Sequence, residues 1–482
     1  MPVSKAYRPD PRHPSLGGEF YDVVAPADFP EATLRFRNDR WAARVGLDTL
    51  TDEEWVRHFA RFEPLPGNIA QPLALRYHGH QFRSYNPDLG DGRGFLFAQM
   101  RDAADGRLLD LGTKGSGRTP WSRTADGRLT LKGGVREILA TEMLEAQGVY
   151  TSKTFSLIET GEDLVRHDEP SPTRSAVMVR LSHSHVRIGT FQRLAALEQQ
   201  ADIKRLVDYC IEHYWSQAAD APDPVAAFFT LAVEAIARMG ADWWVAGFVH
   251  GVLNTDNTTI TGESFDYGPW RFLPTLDPAF TAAYFDHSGL YAFGRQAPAL
   301  FWNCERLAGC LLDLSTQAEL VKGLEAFQPA FWSRLEARTH AKLGLVPGAG
   351  ARELVQDFYE ALSKSQLPYE RAFFDLVGGA MPERIAASPH RDAYAGEHWS
   401  GIMPRLRAGQ PSSSAAAALA HPYFGGSAPC TILIDEMEAT WAPIAENDDW
   451  FMLHRKIADI RDQGAALAPL FEPGGQGFIP QY

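Results

Sequence analysis

Three polar residues in the stretch "HGVLNTDNTTITGESFDYGP", from His250 to Pro269, are of types that could support phosphate chemistry. Asn257 offers an amide oxygen and Asp266 a carboxylate, and Mg²⁺ prefers such hard oxygen ligands. Because Mg²⁺ usually takes only one or two ligands from the protein, these two residues would suffice. Asp256, directly before Asn257, could accept a proton from an attacking hydroxyl, orient Asn257 or cap the turn. We favour a metal site over the alternative that Asn257 and Asp266 each cap a turn.

The spacing in this stretch matches part of the protein-kinase pattern, H-R-D-x-x-x-x-N followed by D-F-G. Asn257 comes seven positions after His250, and an Asp-Tyr-Gly triplet begins at Asp266. The position of the kinase's catalytic Asp is occupied by Val252, which accepts no proton. The stretch therefore predicts a nucleotide–metal site, and it leaves open whether the chain transfers phosphate, transfers another group or only binds ATP. His250 follows the apolar run "WWVAGFV", which predicts a buried structural histidine.

Two strands and a helix in the N-terminal third are predicted to position cations for the phosphates. The turn "NPDLGDGRG" contains Gly90, Gly92 and Arg93, and the alternating segment "FLFAQMR" follows it as a strand. An Asp-Gly turn then leads into a return strand that ends at Lys114. A second Asp-Gly turn, at Asp126 and Gly127, precedes an amphipathic helix whose first turn carries Glu137. This order of glycine loop, strand, lysine and helix glutamate is the layout of a kinase N-terminal lobe.

Two further features bear on the site. Arg180 and Arg187 lie in the strand-like run "SAVMVRLSHSHVRIGTF", where guanidinium groups could clamp phosphate or could simply form salt bridges. The segment "TTITGESF" is β-prone with a central glycine. We expect it to form a tight hairpin that brings Asn257 and Asp266 together.

Composition restricts the class of protein. The chain has 482 residues and a formal net charge of −14, which argues against a general nucleic-acid binder. No export signal and no run of eighteen apolar residues is visible, so we expect no membrane partner and a cytoplasmic location. The four cysteines lack a C-x-x-C pair and do not suggest a disulfide framework. The low-complexity segment Gln410–Pro422 is interpreted as a loop in preference to a short Ala-rich helix.

The motifs together identify the chain as similar to the SelO (selenoprotein O) family of kinase-fold protein adenylyltransferases. The matching strings are "YHGHQF", "LGDGRG", "DLGTKGSGRTPWSR", "DGRLTLKGGVREIL", "SHSHVRIGTFQ", "HGVLNTDN", "FDYGPW" and "DHSGLYAFGRQ". They run in unbroken order over roughly residues 70 to 315. The segment after about Leu343 is expected to depart from the family, and the final "GQGFIPQY" lacks the C-terminal cysteine or selenocysteine that many members carry.

The resemblance implies an enzyme that binds ATP in a reversed orientation and transfers AMP to Ser, Thr or Tyr hydroxyls of proteins, including its own. It implies Mg²⁺, with Mn²⁺ as an alternative, held by Asn257 and Asp266, and a proton acceptor at Asp256. The implied nucleotide contacts are Gly90, Gly92, Arg93, Lys114 with Glu137, Asp126, Gly127, Arg180, Arg187 and Asp266. An extra arginine pair suits a pyrophosphate leaving group, whose developing charge needs more cations than ADP does.

We therefore predict an α+β chain with a two-lobed, protein-kinase-like fold and a mainly helical, extended C-terminal lobe. Residues 1–190 are expected to form the N-terminal lobe, residues 191–345 the C-terminal lobe and residues 346–482 a helical extension of the same domain. The competing hypotheses are a conventional phosphotransferase that uses Asp256 as its base, and an ATP-binding scaffold without turnover.

Overall fold

The protein is a mixture of one large antiparallel sheet and many helices, as seen in a computed structural model that describes residues 3–166 and 169–471. The strands are β1 Tyr21–Val23, β2 Thr33–Arg37, β3 Leu73–Leu75, β4 Gly79–Gln81, β5 Ser84–Asn86, β6 Leu96–Arg101, β7 Leu108–Lys114, β8 Leu129–Thr130, β9 Lys153–Leu164, β10 Thr173–Ser182, β11 Phe248–Val249 and β12 Arg271–Phe272. This content confirms the predicted α+β class. The end of the chain, with "GQGFIPQY", lies outside the described residues.

The helices follow mainly after the sheet. They are α1 Asp39–Arg44, α2 Asp52–Phe59, α3 Leu131–Ala146, α4 Ile188–Ala196, α5 Gln200–His213, α6 Pro224–Ala246, α7 Gln296–Cys310, α8 Gln317–Glu325, α9 Phe327–Lys342, α10 Ala351–Ser365, α11 Tyr369–Leu376, α12 Pro382–Ala387, α13 Arg391–Tyr394, α14 Glu397–Ser400, α15 Met403–Ala408, α16 Ala415–Leu419, α17 Ile434–Asn447 and α18 Phe451–Phe471. Short 3₁₀ turns occur at His13–Leu16, Ser216–Ala218, Thr255–Asn257, Phe293–Arg295 and Pro422–Gly425.

The large sheet has the order β1-β3-β6-β7-β10-β9-β2, with β8 paired to β10, and all its pairs are antiparallel. The predicted hairpin of β6 and β7 is formed around the turn at Asp105 and Gly106. Strand β7 also pairs with β10, and its last residue, Lys114, lies opposite Met178 of β10. The sheet therefore brings Lys114 and Arg180, which lie on neighbouring strands, to the same end.

The two faces of the sheet are covered by different helices. Along β10, Val177 and Val179 pack in a core with Trp55 of α2, whereas Met178 packs on the opposite face with Val135 of α3. This alternation is the period-2 pattern of a strand that is buried on both faces. The predicted helix carrying Glu137 is confirmed as α3, whose N-cap Thr130 accepts a hydrogen bond from the Gly133 amide. Because this cap starts the helix at Leu131, Glu137 lies in the second turn, and the expectation that it lies in the first turn is wrong.

Helix α6 is the central helix of the second half. Among the described residues it is the one helix that is long and apolar enough to span a membrane. However, 67% of its most apolar window is buried inside the protein. It packs against α7, α8 and α9, and it ends at Gly247 in the left-handed conformation. These contacts are those of a core helix in a globular protein.

Two local predictions are wrong. The Ala-rich segment contains the short helix α16, because its alanines have high helix propensity and Ala415 and Ala418 find a buried position. The segment "TTITGESF" forms no hairpin of its own. Its backbone instead makes isolated bridges, Thr259 with Arg187 and Ser264 with Thr151, so tertiary partners take the hydrogen bonds that a hairpin would have used. All four cysteines are free, as expected.

Candidate active site

Lys114 lies at the end of β7 and contacts a carboxylate on each side. Its ammonium group forms an ion pair with Glu137 of α3 and donates to Oδ1 of Asp266 at 2.8 Å. All three side chains are largely withdrawn from solvent. The structure thus joins the lysine, the helix glutamate and the Asp-Tyr-Gly segment, which the sequence only placed in order along the chain.

Asp266 is an ionised carboxylate held among cations. Burial would raise its pKa, but Lys114, Arg180 and Arg187 outweigh that effect and hold the pKa well below its ordinary value. Nη2 of Arg180 lies 3.4 Å from Oδ1 of Asp266. The backbone of Asp266 is left-handed, with φ 64°, which is uncommon for a residue other than glycine. Tyr267 anchors the turn, since its hydroxyl donates to Oγ of Ser264 at 2.7 Å.

Arg180 and Arg187 carry buried donors without partners in the described part of the chain. Nε and Nη1 of Arg180 and Nε of Arg187 are buried and donate no hydrogen bond to any described residue. Phe265 lies beneath both guanidinium groups, with ring centres 5.3 Å and 5.1 Å away. Unsatisfied buried donors are costly, so this pair is suited to an anionic ligand with several acceptor oxygens.

The glycine-rich loop lies against the end of β7. The carbonyl oxygen of Arg93 accepts hydrogen bonds from the amides of Gly115 at 2.7 Å and Ser116 at 3.3 Å, whereas the Arg93 side chain is exposed. A Cβ at Gly90 would collide with the ring of Trp121, and one at Gly92 would lie 2.9 Å from the Trp121 carbonyl oxygen. Glycine is needed at both positions because the glycine-rich loop packs directly on Trp121.

Asp126 and Gly127 form the turn before α3. Asp126 is ion-paired with Arg166 at 2.7 Å, and its other oxygen caps the amide of Arg128 at 2.9 Å. Gly127 has φ 73°, and its carbonyl oxygen accepts from the amide of Gly117 at 3.2 Å. This turn therefore borders the loop that follows Lys114, and its carboxylate is paired with an arginine.

Asp256 and Asn257 lie in the 3₁₀ turn Thr255–Asn257. Burial raises the pKa of Asp256 to about 6, although the charge of Arg187 opposes the rise, and Oδ1 of Asp256 is buried without a hydrogen bond. The Asn257 amide donates to the carbonyl oxygen of Val252 at 3.1 Å, which leaves the amide oxygen for another ligand. His250 is fully buried, and its ring contacts the Phe265 carbonyl oxygen at 3.0 Å, in keeping with a structural role.

The donor set suits a hard cation that is completed by phosphate and water. In the described ranges, no group of three or more His, Cys, Asp or Glu side chains could hold a metal ion. A magnesium ion does not need such a group, because one or two protein oxygens are enough. Asn257 and Asp266 could supply one amide oxygen and one carboxylate.

The sequence analysis missed several residues that shape the site. Oδ1 of Asp91, in the glycine loop, lies 3.4 Å from Nη2 of Arg187, and the Tyr77 ring lies 4.2 Å from the same guanidinium group. Gly79 faces the 3₁₀ turn Thr255–Asn257, where an added Cβ would lie 3.1 Å from Oδ1 of Asp256. All three residues lie in the family-like strings "LGDGRG" and "YHGHQF", and this position was the one sequence signal that could have indicated them. The sequence analysis gave these three residues no role.

Comparisons with known proteins agree with this arrangement of motifs. A family model described as "Protein adenylyltransferase SelO" matches residues 4–461. The chain is 44% identical over 468 residues to "Protein nucleotidyltransferase YdiU" of Gloeobacter violaceus, covering 94% of both chains. It is 41% identical over 473 residues to the protein of the same name from Trichormus variabilis, covering 94% of this chain and 96% of the relative.

The match is longer than the motif-bearing stretch from residue 70 to residue 315. It includes most of the helical segment after Leu343, so the expectation that this segment departs from the family is wrong. The motif strings are sparse there because helices α10 to α18 serve packing, which many apolar sequences satisfy. By a match over nearly its whole length, the chain belongs to the SelO family of protein adenylyltransferases.

Proposed function

We propose that this protein is an adenylyltransferase that transfers AMP from ATP to Ser, Thr or Tyr hydroxyls of other proteins and of itself, in the cytoplasm. The observation that carries the proposal is the pair of buried arginines, Arg180 and Arg187, whose unpaired donors lie beside Asp266 and Lys114. Three cations, Lys114, Arg180 and Arg187, around one carboxylate suit a polyphosphate that carries a divalent metal ion. The names of the relatives, protein nucleotidyltransferases, support the class of reaction.

In the proposed reaction the acceptor hydroxyl oxygen attacks the α-phosphorus of ATP. The bond between the α-phosphorus and the bridging oxygen to the β-phosphorus breaks, and pyrophosphate leaves. The hydroxyl proton passes to Asp256, whose raised pKa makes it a better base than an ordinary aspartate. Lys114, held by Glu137, and the two arginines stabilise the charge that develops on pyrophosphate.

The remaining predicted contacts complete the nucleotide site in this proposal. Gly90, Gly92 and Arg93 cover the nucleotide from the glycine loop, and Asp126 and Gly127 border it from the turn before α3. Asn257 and Asp266 would hold Mg²⁺ or Mn²⁺, and the ion would supply positive charge to the phosphate oxygens. Asp266, which contacts Lys114 and Arg180, would share its carboxylate between these cations and the metal ion.

For the fold, we propose a two-lobed, kinase-like arrangement with ATP reversed relative to kinases. Residues 1–190 would form the N-terminal lobe, 191–345 the C-terminal lobe and 346–482 a helical extension of the same domain. The order of glycine loop, β7 lysine, α3 glutamate and Asp-Tyr-Gly turn supports this reading. A shared hydrophobic core, which joins Val135, Phe228 and Leu453, supports assigning the extension to one domain.

The test uses purified protein, Mg²⁺ and ATP labelled at the α- or the γ-phosphorus, with casein as the acceptor. Transfer of the α-label alone to protein is expected. Transfer of the γ-label would indicate the competing phosphotransferase, in which Asp256 acts as base in place of the residue missing at Val252. Binding of ATP without transfer of either label, in Mg²⁺ and in Mn²⁺, would indicate a scaffold.

A further inference from the structure

A small hairpin, formed by β4 and β5, lies directly on the 3₁₀ turn Thr255–Asn257, which carries the proposed base Asp256. The amide of His80 donates to Oγ1 of Thr255 at 2.7 Å, and the amide of Phe82 donates to Oδ1 of Asn254 at 3.1 Å. Two strands of three residues each have little stability alone, so these contacts hold the hairpin in place. Its tip therefore has a fixed position relative to Asp256.

The tip of this hairpin has an unusual sequence for its shape. Gln81 pairs with Ser84, so Phe82 and Arg83 form a two-residue turn, with φ of 48° and 64°. Turns with two positive φ values strongly favour Asn-Gly or Asp-Gly, and a bulky residue there is strained. Strained backbone tends to occur where side chains have a functional task. The choice of Phe and Arg is thus not explained by the stability of the turn.

The side chains at the tip belong to an exposed aromatic surface. Phe82, Phe285 and Tyr284 are 37%, 42% and 78% exposed. The ring centres of Phe82 and Phe285 are 5.9 Å apart, and those of Phe285 and Tyr284 are 5.1 Å apart. A connected set of exposed aromatic rings is typical of a protein interaction site. We call these three residues the aromatic platform.

Arg83 extends the platform with a positive charge. Its guanidinium lies 5.6 Å from the ring centre of Trp302, and it has no carboxylate partner among the residues that the structure describes. The chain as a whole carries a net charge of −14, so Arg83 places a positive charge beside the platform on a predominantly acidic protein. An acidic side chain on a partner would complement it.

We propose that the aromatic platform and Arg83 dock the polypeptide segment that carries the acceptor hydroxyl. The inference rests on the proposed function, because it assigns the place where the acceptor protein lies during AMP transfer. The partner is a protein segment with apolar side chains next to the hydroxyl residue and an acidic side chain close by. The hairpin links the platform to Asp256, so docking there delivers the hydroxyl to the base.

The test compares two fluorescein-labelled peptides with a single tyrosine each, one with leucine and glutamate around the tyrosine and one with glycine and serine there. Binding is measured by fluorescence anisotropy. We expect the wild-type protein to bind the leucine–glutamate peptide at least tenfold more tightly. The variant Phe82→Ala/Phe285→Ala should reduce this preference to below twofold. Phe451→Ala, which removes an aromatic ring that is 64% exposed at the start of α18, is the matched control and should keep it.

A second variant separates docking from folding. Phe82→Asn/Arg83→Gly installs the residues that the turn prefers, so the melting temperature should rise or stay unchanged while the peptide binds at least fivefold more weakly. A stable variant that binds as tightly as the wild type would overturn the proposal, as would a wild-type protein without preference between the peptides.

The α-label assay on the same peptides reports on the proposed function separately. A binding preference without α-label transfer would refute AMP transfer and leave the docking surface standing. Transfer without any preference would refute only the docking surface.

Discussion

At the residue scale, Asp256 combines a buried position with a charge that the proposed reaction needs. Burial raises its pKa from 3.8 to about 6, so the folded protein carries an unfavourable ionised carboxylate at neutral pH. At pH values between these two pKa values, the folded state binds more protons than the unfolded state. The free energy of unfolding therefore falls as the pH rises. The cost is complete above pH 6 and absent below the ordinary pKa.

The variant Asp256→Asn should therefore be more stable at pH 8, with a free energy of unfolding higher by up to about 3 kcal/mol, and it should lose transfer activity. At pH 5 the gain should be smaller, because part of the wild-type population is already protonated. Urea denaturation at the two pH values measures both. The exposed carboxyl of Asp392 supplies the control, since Asp392→Asn should change stability by less than about 0.5 kcal/mol. An equal gain at both pH values would contradict the burial argument.

Asp266 meets the opposite environment, with Lys114 and Arg180 in contact. Its replacement by alanine removes the only carboxylate of the proposed metal site and leaves two buried cations without their shared partner. We expect Asp266→Ala to lower transfer of the α-label by at least about a hundredfold. The exposed Asp277, whose carboxylate only caps the amide of Ala279, is the control, and Asp277→Ala should keep full activity. Full activity of Asp266→Ala would show that the metal assignment is wrong.

At the element scale, the last described helix supports the helix that carries Glu137. Arg461 of α18 donates to both oxygens of Glu142 on α3, at 2.8 Å and 2.7 Å. Glu142 is buried and has Arg40 as a further partner at 3.1 Å. A two-pronged contact of this kind fixes the orientation of one helix on another.

Removing this contact should weaken the whole α3 region. We expect Arg461→Met to lower the free energy of unfolding by about 1–2 kcal/mol, because Glu142 stays buried with one partner fewer. Lys132 and Glu438 form a matched pair between α3 and α17, but this pair is more exposed, so Lys132→Met should cost less than about 1 kcal/mol. Urea denaturation measures the free energy of unfolding of both variants. An equal loss in Arg461→Met and Lys132→Met would contradict a special role for the contact between α18 and α3.

At the scale of the whole molecule, one hydrophobic core runs from the N-terminal part of the chain to the last described helix, α18. It contains Leu16, Val135 of α3, Phe228 of α6 and Leu453 of α18. A second core, around Trp55, fills only the other face of the sheet. The helices after residue 345 thus cover apolar surface on the parts that hold the proposed catalytic residues.

A chain that ends at residue 345 should therefore fail to fold. It would expose the apolar face of α3 that α18 covers, and we expect aggregation and no cooperative thermal transition by circular dichroism. A chain that ends at residue 471 keeps every described helix and should unfold cooperatively. A soluble, cooperatively folding chain ending at 345 would show that residues 346–482 form a separate domain.

Much of the local structure could be predicted from the sequence, because it depends on neighbours in the chain. Helix α3 follows from apolar residues at helical spacing between Thr130 and Gly148, and the β6–β7 hairpin follows from an Asp-Gly turn between alternating segments. The proposed metal ligands Asn257 and Asp266 could be identified from their spacing in the sequence alone. Where tertiary partners compete for hydrogen bonds or buried space, the local prediction failed, as in "TTITGESF" and in α16.

The sequence by itself determined the family, the candidate chemistry and the order of the elements, since motifs are properties of residue type and spacing. Only the tertiary structure decided which charges meet. Lys114 and Asp266 are 152 positions apart, and Arg187 and Asp91 join through a contact that no local pattern encodes. The pKa of Asp256, the unpaired donors of Arg180 and the aromatic platform likewise arise from burial and packing, which depend on distant parts of the chain folding onto one another.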